Sequence, residues 1–304
     1  MPSSKKKLIV LLGPTASGKT AIGIELAKWL GTEIISADSR QVYREMNIGT
    51  AKPSAEQLRE VKHHLISHVS ITEHYNAGQF EKDALAILNE IFKEKYHAVV
   101  VGGSGLYINV LCHGLDNLPE SNPEIRQSLV KKLELQGIES LQEELGECDP
   151  VYCQTADIHN PSRLMRALEV FRITGKPYSS FRKGSKAERD FEIIKIGLLL
   201  PREDLVERIN RRTDAMMEHG FLEEVKSLVS YRENNALNTV GYKELFDFLD
   251  GKYSMEEAIE KIKVNTRRYA KRQMTWFRKD KEIIWINPGD LNSIKKVLNS
   301  TLNT

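Results

Sequence analysis

The sequence predicts an α/β protein with a parallel sheet at its core and a mostly helical insertion. Three observations carry this. First, Gly13-Pro14-Thr15-Ala16-Ser17-Gly18-Lys19-Thr20 is a complete G-x-x-x-x-G-K-[ST] phosphate loop, which makes the core P-loop NTPase-like. Second, the loop follows the apolar run 8–12, of buried-strand length, and precedes a helical segment from Ala21 to Leu30 that stops at Gly31. Third, further short apolar runs recur at 33–37, 98–101 and 191–200, while no strand pattern appears between about 117 and 191. Segments 1–116 and 192–304 are therefore assigned to the core, ending in a basic helix, and 117–191 to the insertion.

The loop is the best-defined site. Glycines at 13 and 18 let the backbone curl so that its N–H groups converge on an anion. The following helix adds the positive end of its dipole. Lys19 supplies a point charge, and the Thr20 hydroxyl is placed to ligate a Mg²⁺ held by the phosphates. The motif leaves open whether the ligand is ATP, GTP or another diphosphate.

Asp38 ends the second strand. Ligands of open parallel sheets bind beyond the carboxyl ends of the strands, so Asp38 is expected to face the loop. Three roles are open to it: contact with the waters of a bound Mg²⁺, general base, or turn former. Ser39-Arg40-Gln41 and the loop Gly49-Thr50-Ala51-Lys52-Pro53 offer polar groups to a substrate. His63-His64 is not a metal pair, because adjacent side chains do not share a face. Asn76 caps a helix to Glu94, with Phe80, Ala84, Ile87, Leu88 and Ile91 facing the core. The strand at 98–101 runs into Gly102-Gly103-Ser104-Gly105 without the acidic residue usual in ATPases, and Ser104 is placed for a polar contact.

Within the insertion, helices are predicted from Glu124 to Gly146 and from Pro161 to Gly175. Lys and Arg outnumber Asp and Glu between Arg163 and Arg189, either as a solvated face or as a contact surface. After the strand at 191–200, a helix from Asp204 to His219 puts Arg212 on the same stripe as Leu205, Ile209 and Met216. A guanidinium there must find an anion: a core carboxylate or the ligand phosphates. Ser254 and Glu257 form a capping box for a long helix. Arg267, Arg268, Lys271, Arg272, Arg278 and Lys279 lie opposite its apolar stripe, more cations than the helix dipole calls for, with Trp276 among them. That pattern fits contact with nucleic-acid phosphates. A short strand at 283–286 and a helix from about Asp290 finish the chain.

Composition excludes several classes. The 304 residues carry 44 Lys+Arg against 42 Asp+Glu and are 40% hydrophobic, as for an ordinary globular chain. No apolar run reaches the length of a membrane span, and no signal peptide is evident. Cys112, Cys148 and Cys153 form no C-x-x-C pair and are expected to be free thiols in the cytoplasm.

Seven segments together resemble one family. They are the phosphate loop at 13–20, Ser-Ala-Asp-Ser-Arg-Gln-Val-Tyr at 36–43, Gly-Thr-Ala-Lys-Pro at 49–53, Gly-Gly-Ser-Gly-Leu-Tyr at 102–107, Arg-Ala-Leu-Glu-Val at 166–170, Val-Gly-Tyr at 240–242 and Lys-Arg-Gln-Met-Thr-Trp-Phe-Arg at 271–278. In that order, over nearly the whole chain, they resemble the bacterial tRNA dimethylallyltransferases, or isopentenyl-tRNA transferases. Ser104 stands where that family is expected to have Thr, and the hydroxyl is kept. The zinc-finger tail of eukaryotic members is absent, in line with the cysteine count.

The resemblance implies transfer of a dimethylallyl group from dimethylallyl diphosphate to N6 of the adenosine 3′ to the anticodon in tRNA, with release of diphosphate. It implies Gly13 to Thr20 as the diphosphate loop, with Lys19, Thr20 through Mg²⁺, and Arg212 neutralising the leaving group, and Asp38 as general base. It implies tRNA contacts from Asp38, Ser39, Arg40, Gln41, Ser104, Arg126, Ser162, Arg163, Arg166, Lys271, Arg272, Gln273, Trp276 and Arg278. The insertion and the basic helix would clasp the anticodon stem-loop, and the protein is expected to act as a monomer. The rival readings are a small-molecule kinase, an adenylate isopentenyltransferase using free AMP or ADP, and a non-catalytic nucleic-acid-binding module.

Overall fold

The structure, a computed structural model, describes residues 5–116, 118–182 and 187–302. The chain divides into two compact units, Met1–Cys112 with Glu188–Thr304, and His113–Ala187. In the first unit the chain runs through β1 (Lys7–Leu12), α1 (Lys19–Leu30), β2 (Ile34–Ala37), α2 (Ala55–Glu60), β3 (His63–His64), α3 (Ala77–Glu94), β4 (His97–Gly102) and α4 (Gly105–His113), whose last residue opens the second unit. The second unit carries α5 (Pro123–Cys148), α6 (Pro150–Thr155) and α7 (Pro161–Thr174). The chain then returns to the first unit as β5 (Glu192–Leu198), α8 (Arg202–Glu218), α9 (Phe221–Ser227), α10 (Tyr242–Leu249), α11 (Met255–Phe277), β6 (Ile284–Ile286) and α12 (Leu291–Leu302).

The strands form one sheet in the order β3-β2-β4-β1-β5-β6, and every pairing is parallel. A parallel sheet covered on both faces needs apolar side chains on both faces, which is why β1 reads as an unbroken apolar run. Leu8, Val10 and Leu12 pack on one side with Phe80, Ala84 and Leu88 of α3. Ile9 and Leu11 pack on the other with Ile22 and Leu26 of α1 and Ile294 and Leu298 of α12. Ile87, expected in the core stripe of α3, is only partly buried against it.

Register places the site. Leu12 is level with Gly102, and Gly102 is level with Ala37. Gly13, Asp38 and Gly103 therefore leave the sheet side by side at its carboxyl edge, the edge where ligands of such sheets bind.

The helical unit has its own core, in which Leu129, Leu141, Leu145, Leu164 and Leu168 are fully buried. The single helix expected over 124–146 is broken. Gly137 takes φ 76° and ψ 177°, a conformation that an L side chain would resist, and α5 kinks there. The unit also starts and ends earlier than the expected bounds of 117 and 191: the Ala187 N–H donates to the His113 carbonyl and closes it there. Position 117, the expected start of the insertion, and positions 183–186, inside its basic stretch, lie outside the described residues. No helix among the described residues is long and apolar enough to cross a membrane.

Candidate active site

The phosphate loop follows β1 directly. Gly18, at φ 88°, turns the chain into α1 in the left-handed region open to glycine, so the helix starts with its N–H groups facing the loop. Lys19 donates to the Pro14 carbonyl at 2.6 Å. The Ser17 hydroxyl is fully buried and has no hydrogen-bond partner among the described residues. Thr20, in the first turn of α1, shares a small cavity with Ser36 and Gln41.

Asp38 does form a turn. Its Oδ1 accepts from the N–H groups of Arg40 at 2.9 Å and Gln41 at 3.3 Å. Among the described residues nothing donates to its second oxygen, so the turn leaves that oxygen for other chemistry. Ser104 braces the same turn: its hydroxyl accepts from the Ser39 N–H at 2.9 Å and donates to the Ser39 hydroxyl. Gln41 spends its amide on the Thr50 and Ala51 carbonyls. Arg40 donates to the carbonyls of Asn235 and Asn238.

Arg212 reaches the loop from α8, where its Nη2 donates to the Thr15 hydroxyl at 2.6 Å. No carboxylate among the described residues is within ion-pair distance of it, which removes the core ion pair left open by the sequence. Burial lowers its pKa, and the Asp38 carboxylate opposes that. Burial also pushes Lys19 down to about 8, against the pull of Asp38 and with the push of Arg212. Two cations and one carboxylate thus share this corner without forming a closed pair. The corner holds surplus positive charge at a partly buried site, a setting that suits an anion.

The face of α11 opposite its buried stripe carries Arg268, Lys271 and Arg272, and Arg278 and Lys279 follow at its end, all exposed. Arg272 lies over the Tyr269 ring at 5.9 Å. Trp276 is exposed and packs at Gly105, where an added Cβ would come within 2.4 Å of its ring. Two residues depart from the expected pattern. Arg267 is half-buried and donates to Asn210, so it leaves the basic strip. Gln273, expected to meet tRNA, is buried: its Oε1 accepts from the Thr15 N–H and its Nε2 donates to the Gly103 carbonyl, each at 2.8 Å. Its place on the apolar stripe turns the amide inward.

In the helical unit Ser162 and Arg163 are exposed at the start of α7. Arg166 is not a free cation. It donates to the fully buried Glu169 at 2.8 Å and to the Pro119 carbonyl at 2.7 Å. Arg126 stands 3.5 Å from the same carboxylate. Burial would raise the pKa of Glu169, but Ser121 and Arg166 hold it below the usual range. Arg166, expected to contact tRNA, is thus also engaged in neutralising a buried acid.

A family model described as IPP transferase matches residues 41–280. The chain belongs to the IPP transferase family. It is 53% identical over 299 residues to the tRNA dimethylallyltransferase of Christiangramia forsetii, covering 98% of this chain and 99% of the relative. Its fold matches the full-length tRNA isopentenylpyrophosphate transferase of Bacillus halodurans with a TM-score of 0.72 at 36% identity, over 98% of this chain and 97% of the other. It also matches a eukaryotic dimethylallyltransferase acting on tRNA with a TM-score of 0.82 at 28% identity, over 96% of this chain and 78% of the other.

Three residues of this IPP transferase were missed in the sequence. Tyr269 has its hydroxyl pushed up to about 12, by burial first and then by the charge of Asp38. Its position on the α11 stripe gave it the look of a core residue. Arg208, one turn before Arg212, approaches the loop: a Cβ at Gly18 would lie 3.5 Å from its guanidinium. The i, i+4 spacing of the two arginines was the available signal. Glu224 gathers the N–H groups of Asn47, Ile48 and Gly49 and the hydroxyl of Tyr242. It thereby fixes the turn 47–49 that leads into the loop 49–53, and no local pattern announces it. In the same loop Lys52, pushed down to about 8 by burial, spends its ammonium on Tyr43, Asn47 and Ser67 rather than on a ligand.

Proposed function

We propose that the chain transfers the dimethylallyl group of dimethylallyl diphosphate to N6 of the adenosine 3′ to the anticodon of tRNA. The observation that carries this reading is the surplus of cations at the phosphate loop, Lys19 and Arg212, beside the free oxygen of Asp38. A diphosphate with no nucleoside attached satisfies those cations.

As the allylic C–O bond breaks, negative charge grows on the bridging oxygen, and Lys19, Arg212 and the loop N–H groups stabilise it. N6 attacks the allylic carbon, and its proton passes to Asp38 as the new bond forms. Each such contribution is of the order of 10²-fold or more in rate. The loop offers oxygen donors, the Thr20 hydroxyl and the unpartnered Ser17 hydroxyl, and such a set suits a hard cation with a phosphate. Thr20 would hold Mg²⁺, which when bound supplies further charge neutralisation on the diphosphate.

The acceptor adenine must leave its stack to meet Asp38, as in other enzymes that act on a base. The exposed cations of α11, with Trp276, suit an unstacked loop and its phosphates rather than a helical groove. Ser162, Arg163 and Arg126 of the helical unit would add contacts to the stem-loop.

The test is transfer of label from dimethylallyl diphosphate, with Mg²⁺, to unmodified tRNA, run beside AMP and ATP. Label in tRNA alone is the expected result. Label in a free nucleotide would replace this reading with an adenylate isopentenyltransferase. ATP consumption without prenyl transfer would replace it with a kinase.

A further inference from the structure

We propose that Gln273 is a positioning residue that joins the RNA-facing helix α11 to the diphosphate loop and makes the two substrates bind interdependently. The inference rests on the function proposed above, since it needs RNA on α11 and a diphosphate at the loop.

Gln273 lies inside the strip Lys271–Arg278, yet it is only 7% exposed and points away from the exposed cations on either side of it. Its amide is used at both ends. The carbonyl oxygen accepts from the Thr15 N–H, and the nitrogen donates to the Gly103 carbonyl. Thr15 in turn receives Arg212 on its hydroxyl. One side chain therefore ties α11 to the end of β4, to the phosphate loop and, through Thr15, to the guanidinium that faces the diphosphate.

The contact matters because backbone N–H groups are what such a loop offers an anion. While Thr15 donates to Gln273, the loop is held at one setting relative to α11. A shift of α11 under RNA changes that setting, and a diphosphate that draws on the loop changes the pull on α11. Leaving a buried amide or N–H without its partner costs about 1–3 kcal/mol, which corresponds to roughly 5- to 150-fold in affinity. Linkage makes the effect equal in both directions.

Space around Gly103 supplies a second handle. A Cβ there would stand 2.4 Å from Gln273 Nε2 and 3.5 Å from the next nearest atom, the Gly13 carbonyl oxygen. Gly103→Ala would therefore displace the Gln273 amide while leaving every residue of α11 in place. Gln273→Met removes both hydrogen bonds at nearly constant volume.

The experiment uses the full chain with inorganic diphosphate and Mg²⁺ as one probe and an unmodified anticodon stem-loop RNA as the other. Each affinity is measured alone and with the other probe saturating. In the wild type each probe is expected to change the affinity for the other by about 5-fold or more. In Gln273→Met and in Gly103→Ala the coupling is expected to fall below about 2-fold, with diphosphate bound about 10-fold more weakly and RNA alone within about 2-fold of wild type. In transfer assays the donor KM is expected to rise more than kcat falls. A wild type without coupling, or variants that keep it, would overturn the proposal, as would equal losses of RNA and diphosphate binding. Because coupling is read from binding, a wild type that couples but transfers no prenyl group would reject the proposed reaction and still support the role of Gln273.

Discussion

The cations of the phosphate-loop corner and those of the helical unit are alike in type and opposite in pairing. Lys19 and Arg212 donate to neutral oxygens, the Pro14 carbonyl and the Thr15 hydroxyl. Arg166 donates to the buried Glu169, while Lys132 and Arg172 converge on Glu144. A cation already matched to a buried carboxylate has little left for a ligand, and removing its partner is costly. A cation held by neutral groups in a partly buried corner keeps its charge for an incoming anion. Pairing, more than the number of Lys and Arg, therefore separates anion-binding cations from structural ones.

Asp38 gives the largest expected effect and sharpens the contrast from the acid side. If it served only to neutralise Lys19 and Arg212, Asp38→Ala would tighten diphosphate binding and leave transfer intact. The account expects tighter diphosphate binding together with a fall of about 10²–10⁴ in single-turnover transfer to tRNA. Glu169→Ala strikes the paired side. It should destabilise the chain by about 3 kcal/mol, read as a lower denaturant midpoint, because it strands Arg166 without its partner. Diphosphate affinity should not change.

Titration gives the next effect. Lys19 has a pKa of about 8, below its ordinary value of 10.5. Its charged form is the one that grips an anion. Donor affinity should therefore hold up to about pH 8 and then fall by up to about 10-fold per unit, with proton uptake on binding measurable by calorimetry in buffers of different ionisation enthalpy. The sign for stability is opposite. The unfolded chain binds the proton more tightly than the folded one, so Lys19 costs stability below pH 8, and that cost is relieved as pH rises from about 8 toward 10.5. The smallest effect belongs to the exposed strip. Arg272→Ala with Arg278→Ala should make the log–log salt dependence of RNA binding shallower by about 1.4, taking about 0.7 per single-strand phosphate contact. An unchanged slope would make that strip an ordinary solvated face.

The sequence carried the sheet core and the loop well because both depend on local pattern: apolar runs of strand length, glycines at fixed offsets, and Ser or Asn at helix starts. It carried Asp38 because strand ends in such sheets face the ligand. Gln273 was harder. Its neighbours in the strip are cations that face water, and only the three-dimensional approach of Thr15 and Gly103 shows that its amide turns inward. The break in α5 was missed because a single glycine inside a helical pattern is usually tolerated, whereas Gly137 takes a left-handed φ. Arg166 and Glu169, three apart on α7, form a pair whose burial no local pattern reveals. Glu224 serves a loop more than 170 residues away, beyond any local signal.

The contrast between the two sets of cations is tested most directly by titrating inorganic diphosphate, with Mg²⁺, into Arg212→Gln and Arg166→Gln side by side. The account predicts a loss of affinity of about 10-fold or more for Arg212→Gln and no change beyond about 2-fold for Arg166→Gln, whose defect should appear in stability instead. Equal losses in the two variants, or a loss confined to Arg166→Gln, would contradict it.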